Sequence, residues 1–506
     1  MNLILRAAAS GCAVLIAAVT LVAAAPDPAS SGSAVPVPSI PTAVTHHTAR
    51  IGNRLIRYTA TAGTIVLTDS KDAPAASMFY VAYTADDLGP AARRPLTFAY
   101  NGGPGGASAL LHLGAFGPRT VVTTNAGTTA PPPYDVVDNT NSLLDTSDLV
   151  FVDAVGTGFS RIVGHASAKD FYGVEADGHA FEQFIRRYIT TNGRWNSPKY
   201  LAGESYGTMR SAVLAKMLGD DGISLSGITL ISTVLNFSTI IAQPGNDLPY
   251  WLFLPSEAAV AAYHHKLPVV PTDLPTFLQT VRAYAQGPFM NALAKGAALP
   301  ANERDAVVQQ LHADTGLPTD YLSRAQLRVE PGRFEKQLLS ASGETIGRYD
   351  GRFRNYDVDP IGDSADSDPS SAAVFGAFTG ALNRYVREEL HYRTDAKYEF
   401  LSLDVNRQWQ WQGDEHGSPV GVDVSDDLRD ALTANPYLRV FSANGIYDLA
   451  TPFFATEYSL AHLGINPALQ AHITFGYYPA GHMIYLNPVA HAALKADLVK
   501  FYLFHG

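Results

Sequence analysis

Tyr200-Leu201-Ala202-Gly203-Glu204-Ser205-Tyr206-Gly207 is a short apolar run that ends in Gly-x-Ser-x-Gly and passes directly into a helical pattern, Met209 to Met217. A run of this kind reads as a buried strand, and the glycines then mark a strained turn from strand to helix. Such a turn lifts the Ser205 hydroxyl clear of the backbone, and larger neighbours than glycine would collide there. It also sets the N–H of Tyr206 at a helix N-terminus, where it can face a developing oxyanion. The pentapeptide occurs once in the chain.

Outward from this point the pattern repeats. Leu96-Thr97-Phe98-Ala99-Tyr100 and Leu149-Val150-Phe151-Val152 are almost wholly apolar, and a helical pattern spans Val174 to Tyr188. Strand-like runs return at Ile228-Ile231, Leu438-Phe441 and Ile473-Phe475, with a helical tail from Val489 to Phe501. Strands alternating with helices predict an α/β fold with a mostly parallel sheet covered on both faces. Earlier strand-like runs lie at Arg54-Tyr58 and Met78-Tyr83. Between 243 and 397 the chain turns helical, polar and turn-rich, which predicts a largely helical, cap-like insertion over the ligand-binding edge. No internal repeat is present.

A serine nucleophile needs a base and a group that orients the base, and in such a sheet the chain order is Ser, then Asp or Glu, then His. Of fifteen histidines, His482 follows the run Ile473-Phe475 by a few residues, and Asp448 similarly follows Leu438-Phe441. Both fall where open α/β sheets hold their ligands, beyond the carboxyl ends of strands. Asn101-Gly102-Gly103-Pro104-Gly105-Gly106 follows another buried strand. It reads as a tight turn, as a phosphate cradle, or as the source of a second oxyanion donor. The absence of a Gly-Lys-Ser/Thr ending weakens the phosphate reading.

The termini and composition bound the setting. Arg6 precedes an uncharged apolar stretch from Ala7 to Ala25 with a small-residue end, the pattern of a secretory signal peptide over residues 1–25, with a retained membrane anchor as the alternative. Residues 26–45, rich in Pro, Ser, Ala and Val, read as a flexible lead-in to a catalytic domain over 46–506. The lone Cys12 falls in the signal, so no intramolecular disulfide or thiolate metal site is available. Of 506 residues, 46% are hydrophobic, enough for a large core. Thirty-six basic residues against forty-seven acidic ones argue against a nucleic-acid partner. No second stretch is long and apolar enough to cross a membrane, so no stable membrane insertion is expected after signal cleavage. The expected location is exported, periplasmic or extracellular.

Asn101-Gly102-Gly103-Pro104-Gly105, Phe151-Val152-Asp153 with Gly156-Thr157-Gly158-Phe159-Ser160, Gly203-Glu204-Ser205-Tyr206-Gly207, Asp448 and Gly481-His482-Met483 together resemble the serine carboxypeptidase family, a branch of the α/β-hydrolases. They occur in that family's order and span most of the chain. The resemblance implies release of C-terminal residues from peptides through an acyl-enzyme, with no cofactor and no metal. Ser205 would attack, His482 would shuttle the proton and Asp448 would orient the imidazole. Gly103 and Tyr206 would donate to the oxyanion. Asn101 and Glu204 would bind the carboxylate of a peptide substrate with a free C-terminus. Glu204 can donate to a carboxylate only when protonated, so peptide binding is expected to favour acidic pH. The same triad could instead serve an esterase or acyltransferase, and a catalytically silent binding protein is the remaining reading. The sequence carries no sign of oligomeric state.

The chain departs from the family pattern in several places. Gly106-Ala107 stands where a Cys-Ser pair is common, Phe98-Ala99-Tyr100 where a Trp often precedes the turn, and Ile484-Tyr485 where Val-Pro is common. These changes suggest a divergent, bacterial branch. Asp357, Asp359, Asp363, Asp366 and Asp368 read as a solvated acidic loop without calcium-loop spacing. His46-His47 and His264-His265 read as surface pairs, and Tyr349-Asp350-Gly351-Arg352 as a turn or part of the site.

Overall fold

The computed structural model describes residues 33–411 and 419–503, so the expected signal peptide lies outside the described residues. The compact unit Val35–Gly506 is built on a ten-stranded sheet. Its first three strands, β1 (Ala43–Ile51), β2 (Arg54–Thr68) and β3 (Pro74–Ala85), form an antiparallel meander. Next come β4 (Leu96–Tyr100), the short hairpin β5 (Arg119–Val121) and β6 (Val136–Asp138), then β7 (Asp148–Val152). The chain continues through β8 (Arg161–Ile162), β9 (Lys199–Glu204) and β10 (Gly227–Ile231). A hairpin of β11 (Glu344–Ile346) and β12 (Arg354–Tyr356) stands in the insertion, and β13 (Arg439–Gly445) and β14 (Ile473–Tyr478) complete the set. The sheet order is β1-β2-β3-β7-β4-β9-β10-β13-β14, with β8 on β3, and from β7 to β14 the neighbours are parallel.

The apolar runs become central strands because both their faces are covered. In β4, Phe98 joins a core with helices α1 (Val174–Thr191) and α2 (Tyr206–Asp220), while Ala99 joins the core on the opposite face. Val150 and Phe151 of β7 divide in the same way, as the period of two requires. The opposite face is covered by the C-terminal helix Pro488–Leu503 and the π-helical turn Leu111–Phe116. Between β10 and β13 the chain is mainly helical, and much of it carries a core of its own around Trp251, Leu254 and Phe334.

The lead-in ends earlier than the composition suggests. Val35 exchanges backbone hydrogen bonds with Gly164 at 2.8 and 2.7 Å, and the Ala43-Val44-Thr45 end of the segment already pairs with β2. Alternating β-branched residues favour an extended partner over a loose tether. The acidic stretch is also more built than expected. Asp357 receives an ion pair from Lys336 at 2.5 Å with both side chains buried, and Asp368 caps the helix Pro369–Arg384 through the amides of Ser370 and Ser371. Among the described residues no group of His, Cys, Asp and Glu is arranged to hold a metal ion, and no helix is long and apolar enough to cross a membrane.

Candidate active site

Asn101, Ser205, Asp448 and His482 each lie a few residues past the carboxyl end of a parallel strand, β4, β9, β13 and β14 respectively. The parallel alignment therefore gathers residues separated by hundreds of positions on one edge of the sheet. Ser205, His482, Asn101, Glu204, Gly103 and Tyr206 line one cleft of about 820 Å³, counted with its opening to solvent.

Ser205 has φ 61° and ψ −129°, a left-handed conformation that costs a non-glycine residue about 1–3 kcal/mol. The cost is met locally: the Ser205 amide donates to Ile231 O at 3.0 Å, and the Thr208 amide donates to Ser205 O at 2.8 Å. A Cβ on Gly203 would lie 2.1 Å from the Gly207 carbonyl oxygen, so no larger residue fits there. On Gly102 it would lie 2.4 Å from the Tyr206 nitrogen, which shows how closely the Gly-rich turn passes the start of α2. The Gly103 and Tyr206 amides have no backbone partner among the described residues, and both residues border the cleft.

His482 Nδ1 donates to Asp448 Oδ2 at 2.8 Å. The Asp448 carboxylate is fully buried and also accepts from the Ala450 and Thr451 amides at 2.8 and 3.0 Å, and from Thr451 Oγ1 at 2.8 Å. Holding Nδ1 as the donor leaves Nε2 as the basic nitrogen of the neutral ring. Burial works against charging His482, but the Asp448 carboxylate and its hydrogen bond outweigh it and raise the ring's pKa above the usual value.

Glu204 is buried, and Asn101 Nδ2 donates to its Oε1 at 2.7 Å. Tyr485 OH donates to the same oxygen at 3.3 Å, while Oε2 has no partner among the described residues. Burial pushes the Glu204 carboxyl up to about 7, with the Asp448 charge acting in the same sense. His482, Tyr485 and Asn101 pull the other way. Asn101 is itself fixed from two sides: its Oδ1 accepts from the Leu111 amide at 3.0 Å, and its carbonyl from Arg210 Nη1 at 2.8 Å. Arg210 is fully buried, paired to Asp177 of α1 at 2.7 Å, and stacked 4.4 Å over Phe181.

Several participants carry no motif of their own. Segment Arg348–Arg352 of the insertion binds both loops of the Asp–His pair. Arg348 O accepts from Leu449 N at 3.1 Å, Tyr349 O from His482 N at 2.6 Å, and Asp350 Oδ2 from Gly481 N at 3.0 Å. Asp350 is neutralised by a buried pair with Arg352 at 2.6 Å. This stretch is thus both a turn and a wall of the site. His264 is likewise half-buried rather than on the surface, with Nε2 bonded to Gly351 O at 2.7 Å. Asp153 ties two loops together by accepting from the Ser108 amide at 2.9 Å and Tyr398 OH at 3.1 Å.

Residues 59–236 match the serine carboxypeptidase family. The matched stretch holds the Gly-rich turn, Asp153 and the Ser205 turn, and ends before Asp448 and His482. The prohormone-processing carboxypeptidase Kex1Δp from Saccharomyces cerevisiae superposes with a TM-score of 0.54 at 16% identity, covering 88% of this chain and 91% of that one. At that identity the likeness shows the α/β-hydrolase fold alone. Proline iminopeptidase from Mycobacterium smegmatis, also 16% identical, aligns over 87% of this chain and 98% of its own with a TM-score of 0.38. No curated protein matches the chain in sequence. The family match is confined to residues 59–236, and at 16% identity the Kex1Δp likeness adds the fold and no more.

Proposed function

We propose that this protein is an exported serine carboxypeptidase that releases C-terminal residues from peptides. One observation carries the reading: next to Ser205, a buried Glu204 held at 2.7 Å by Asn101 keeps a carboxyl that is neutral below about pH 7. A neutral carboxyl beside an amide can donate to a peptide's terminal carboxylate, whereas an ester substrate offers nothing that needs such a pair.

In the first step Ser205 Oγ attacks the scissile carbonyl and its proton passes to His482 Nε2. Asp448 holds the ring in the required tautomer and stabilises the imidazolium that forms. The Gly103 and Tyr206 amides receive the oxyanion. His482 then protonates the leaving amine, the terminal residue departs, and an ester to Ser205 remains. Water, deprotonated by His482, cleaves that ester and restores the serine. The apolar residues 7–25 behind Arg6 support export through a signal peptide.

The test is to incubate the mature protein and a Ser205→Ala control with an N-blocked dipeptide, its C-terminally amidated counterpart and a simple ester, at acidic and neutral pH. Ser205-dependent cleavage confined to the free-carboxylate peptide is expected. Ester turnover alone would assign the site to an esterase or acyltransferase, and no Ser205-dependent reaction would leave a binding protein.

A further inference from the structure

Among the described residues that line the cleft, Arg348 is the only lysine or arginine. Its side chain is exposed and makes no ion pair among the described residues, whereas every other arginine around the site is committed: Arg210 to Asp177 and Arg352 to Asp350. The backbone of Arg348 is pinned, its amide to Asp368 Oδ1 at 3.0 Å and its carbonyl to the Leu449 amide at 3.1 Å. The guanidinium lies 5.4 Å over the Tyr349 ring. That ring lies 5.0 Å from the ring of His482. Two acidic groups face Arg348, and neither neutralises it by contact. Glu335 is buried and pushed up to about 8, so it is uncharged in acid, and the Asp368 carboxylate is engaged by Ser370 and Ser371.

The cleft has two walls, and Arg348 belongs to one of them. The Tyr349 ring lies 6.4 Å from Phe375, tilted by 39°, and Phe375 lies 5.2 Å from Phe400, tilted by 58°. Phe375 shares the helix Pro369–Arg384 with Phe378, which converges with Tyr485 on Gly114, and Tyr485 donates to Glu204. Through Tyr485 this group of rings connects to Glu204, the residue before Ser205. The other wall, Val234, Phe237 and Ile240, is apolar and connects to Tyr206: Phe237 packs 5.0 Å from Trp411, itself 6.2 Å from the Tyr206 ring.

We propose that Arg348 is a specificity-determining residue that selects an acidic side chain on the residue being released, so that the preferred substrates end in Glu or Asp. The proposal rests on the carboxypeptidase reading, because it takes Asn101 and Glu204 as the site of the terminal carboxylate. With that carboxylate placed, the side chain of the departing residue falls along the Tyr349 wall. A carboxylate there meets an unpaired cation, and an ammonium meets a like charge. The acyl-side residue faces the apolar wall.

The experiment measures kcat/KM at pH 6 for N-blocked Phe-Glu, Phe-Gln and Phe-Lys, with Glu-Phe and Gln-Phe as the acyl-side pair. Ratios within one enzyme sample cancel any loss of active protein. In the native enzyme the Phe-Glu to Phe-Gln ratio should exceed one and Phe-Lys should be slowest. A partly exposed charge pair supports a change of about threefold to fivefold on Arg348→Gln and roughly the square of that on Arg348→Glu. Added salt should weaken the preference. The proposal is overturned if Arg348→Glu leaves the ratio within about twofold of native, or if the shift appears in the Glu-Phe to Gln-Phe pair instead. Turnover without that shift overturns this assignment alone, while no peptide turnover by the native enzyme overturns the carboxypeptidase reading with it.

Discussion

Replacing Glu204 with Gln isolates the charge of one buried carboxyl, because the side chain keeps its shape and gains a donor that pH does not remove. Burial lifts the Glu204 carboxyl from 4.5 to about 7, a bias toward the neutral form of roughly 3 kcal/mol. The sign follows from linkage. A carboxyl whose folded pKa is raised contributes fully to stability below its unfolded pKa and loses that contribution as pH rises through the folded value. Native stability should therefore fall relative to Glu204→Gln between about pH 4.5 and pH 7, by roughly 3 kcal/mol in total, and the difference should then level off. Urea denaturation across pH 4 to 9 measures it directly. Catalysis gives an independent reading. The competent free enzyme needs its proton on Glu204 and none on His482, and these two groups raise and lower one another's pKa as a coupled pair. Native kcat/KM for a free-carboxylate dipeptide should fall about tenfold per pH unit above 7 as the clamp ionises. In Glu204→Gln that alkaline fall should disappear, while the acidic limb, where Glu204 is already neutral, should stay close to native. A stability difference that does not change with pH, together with an unaltered alkaline limb, would falsify the assignment of a protonated Glu204.

Asp448→Asn should lower kcat by about a thousandfold to ten-thousandfold with the fold retained. The backbone amides of Ala450 and Thr451 claim the remaining oxygen, which turns the new NH2 toward His482 Nδ1 and enforces the wrong tautomer; an ester assay and circular dichroism separate the two effects. Asp177→Asn strands the fully buried Arg210, so urea unfolding should report a loss of about 3–5 kcal/mol, and KM for peptides should rise because Arg210 also holds the Asn101 carbonyl.

What the sequence shows and what it hides divide along a physical line. The Ser205 turn is legible because its constraint is local: a Cβ at Gly203 would sit 2.1 Å from an oxygen four residues away, so glycine is written into the pattern. The central strands β4, β7, β9 and β10 are legible because burial on both faces removes polar residues from consecutive positions. Asp448 and His482 are legible only through their place after strand-like runs. The antiparallel meander is half legible, since β2 continues beyond the run Arg54-Tyr58 through Thr59–Gly63, where the buried positions are the weakly apolar Ala60, Ala62 and Gly63. Arg348 is hidden, and Tyr349-Asp350 is legible only as a turn or part of the site, because what they do depends on bonds to residues about a hundred or more positions away. Tyr485 and Thr451 are hidden for a different reason. Each supplies a single hydroxyl to a carboxylate, and a hydroxyl in a loop has no spacing to announce it.

The segment Arg348–Arg352 also bears on how the site is kept without covalent staples. The chain has one cysteine, and Gly106 takes the position where the family commonly has another. The stretch at Gly106 is fastened instead by backbone pairing: Ala107 N donates to Phe400 O at 3.0 Å and Ser402 N to Gly105 O at 2.8 Å. On the other side of Ser205, the Asp448 and His482 loops are fastened to the insertion at Arg348, Tyr349 and Asp350. Hydrogen bonds of this kind contribute about 1 kcal/mol each, so no single one replaces a disulfide, and the geometry depends on several closing together. The insertion is consequently part of the frame of the proposed active site as well as a wall of the cleft. A change in its sequence that alters substrate choice through Phe375 or Phe400 can leave the frame intact, whereas one that moves the Tyr349 carbonyl moves the backbone of His482 itself.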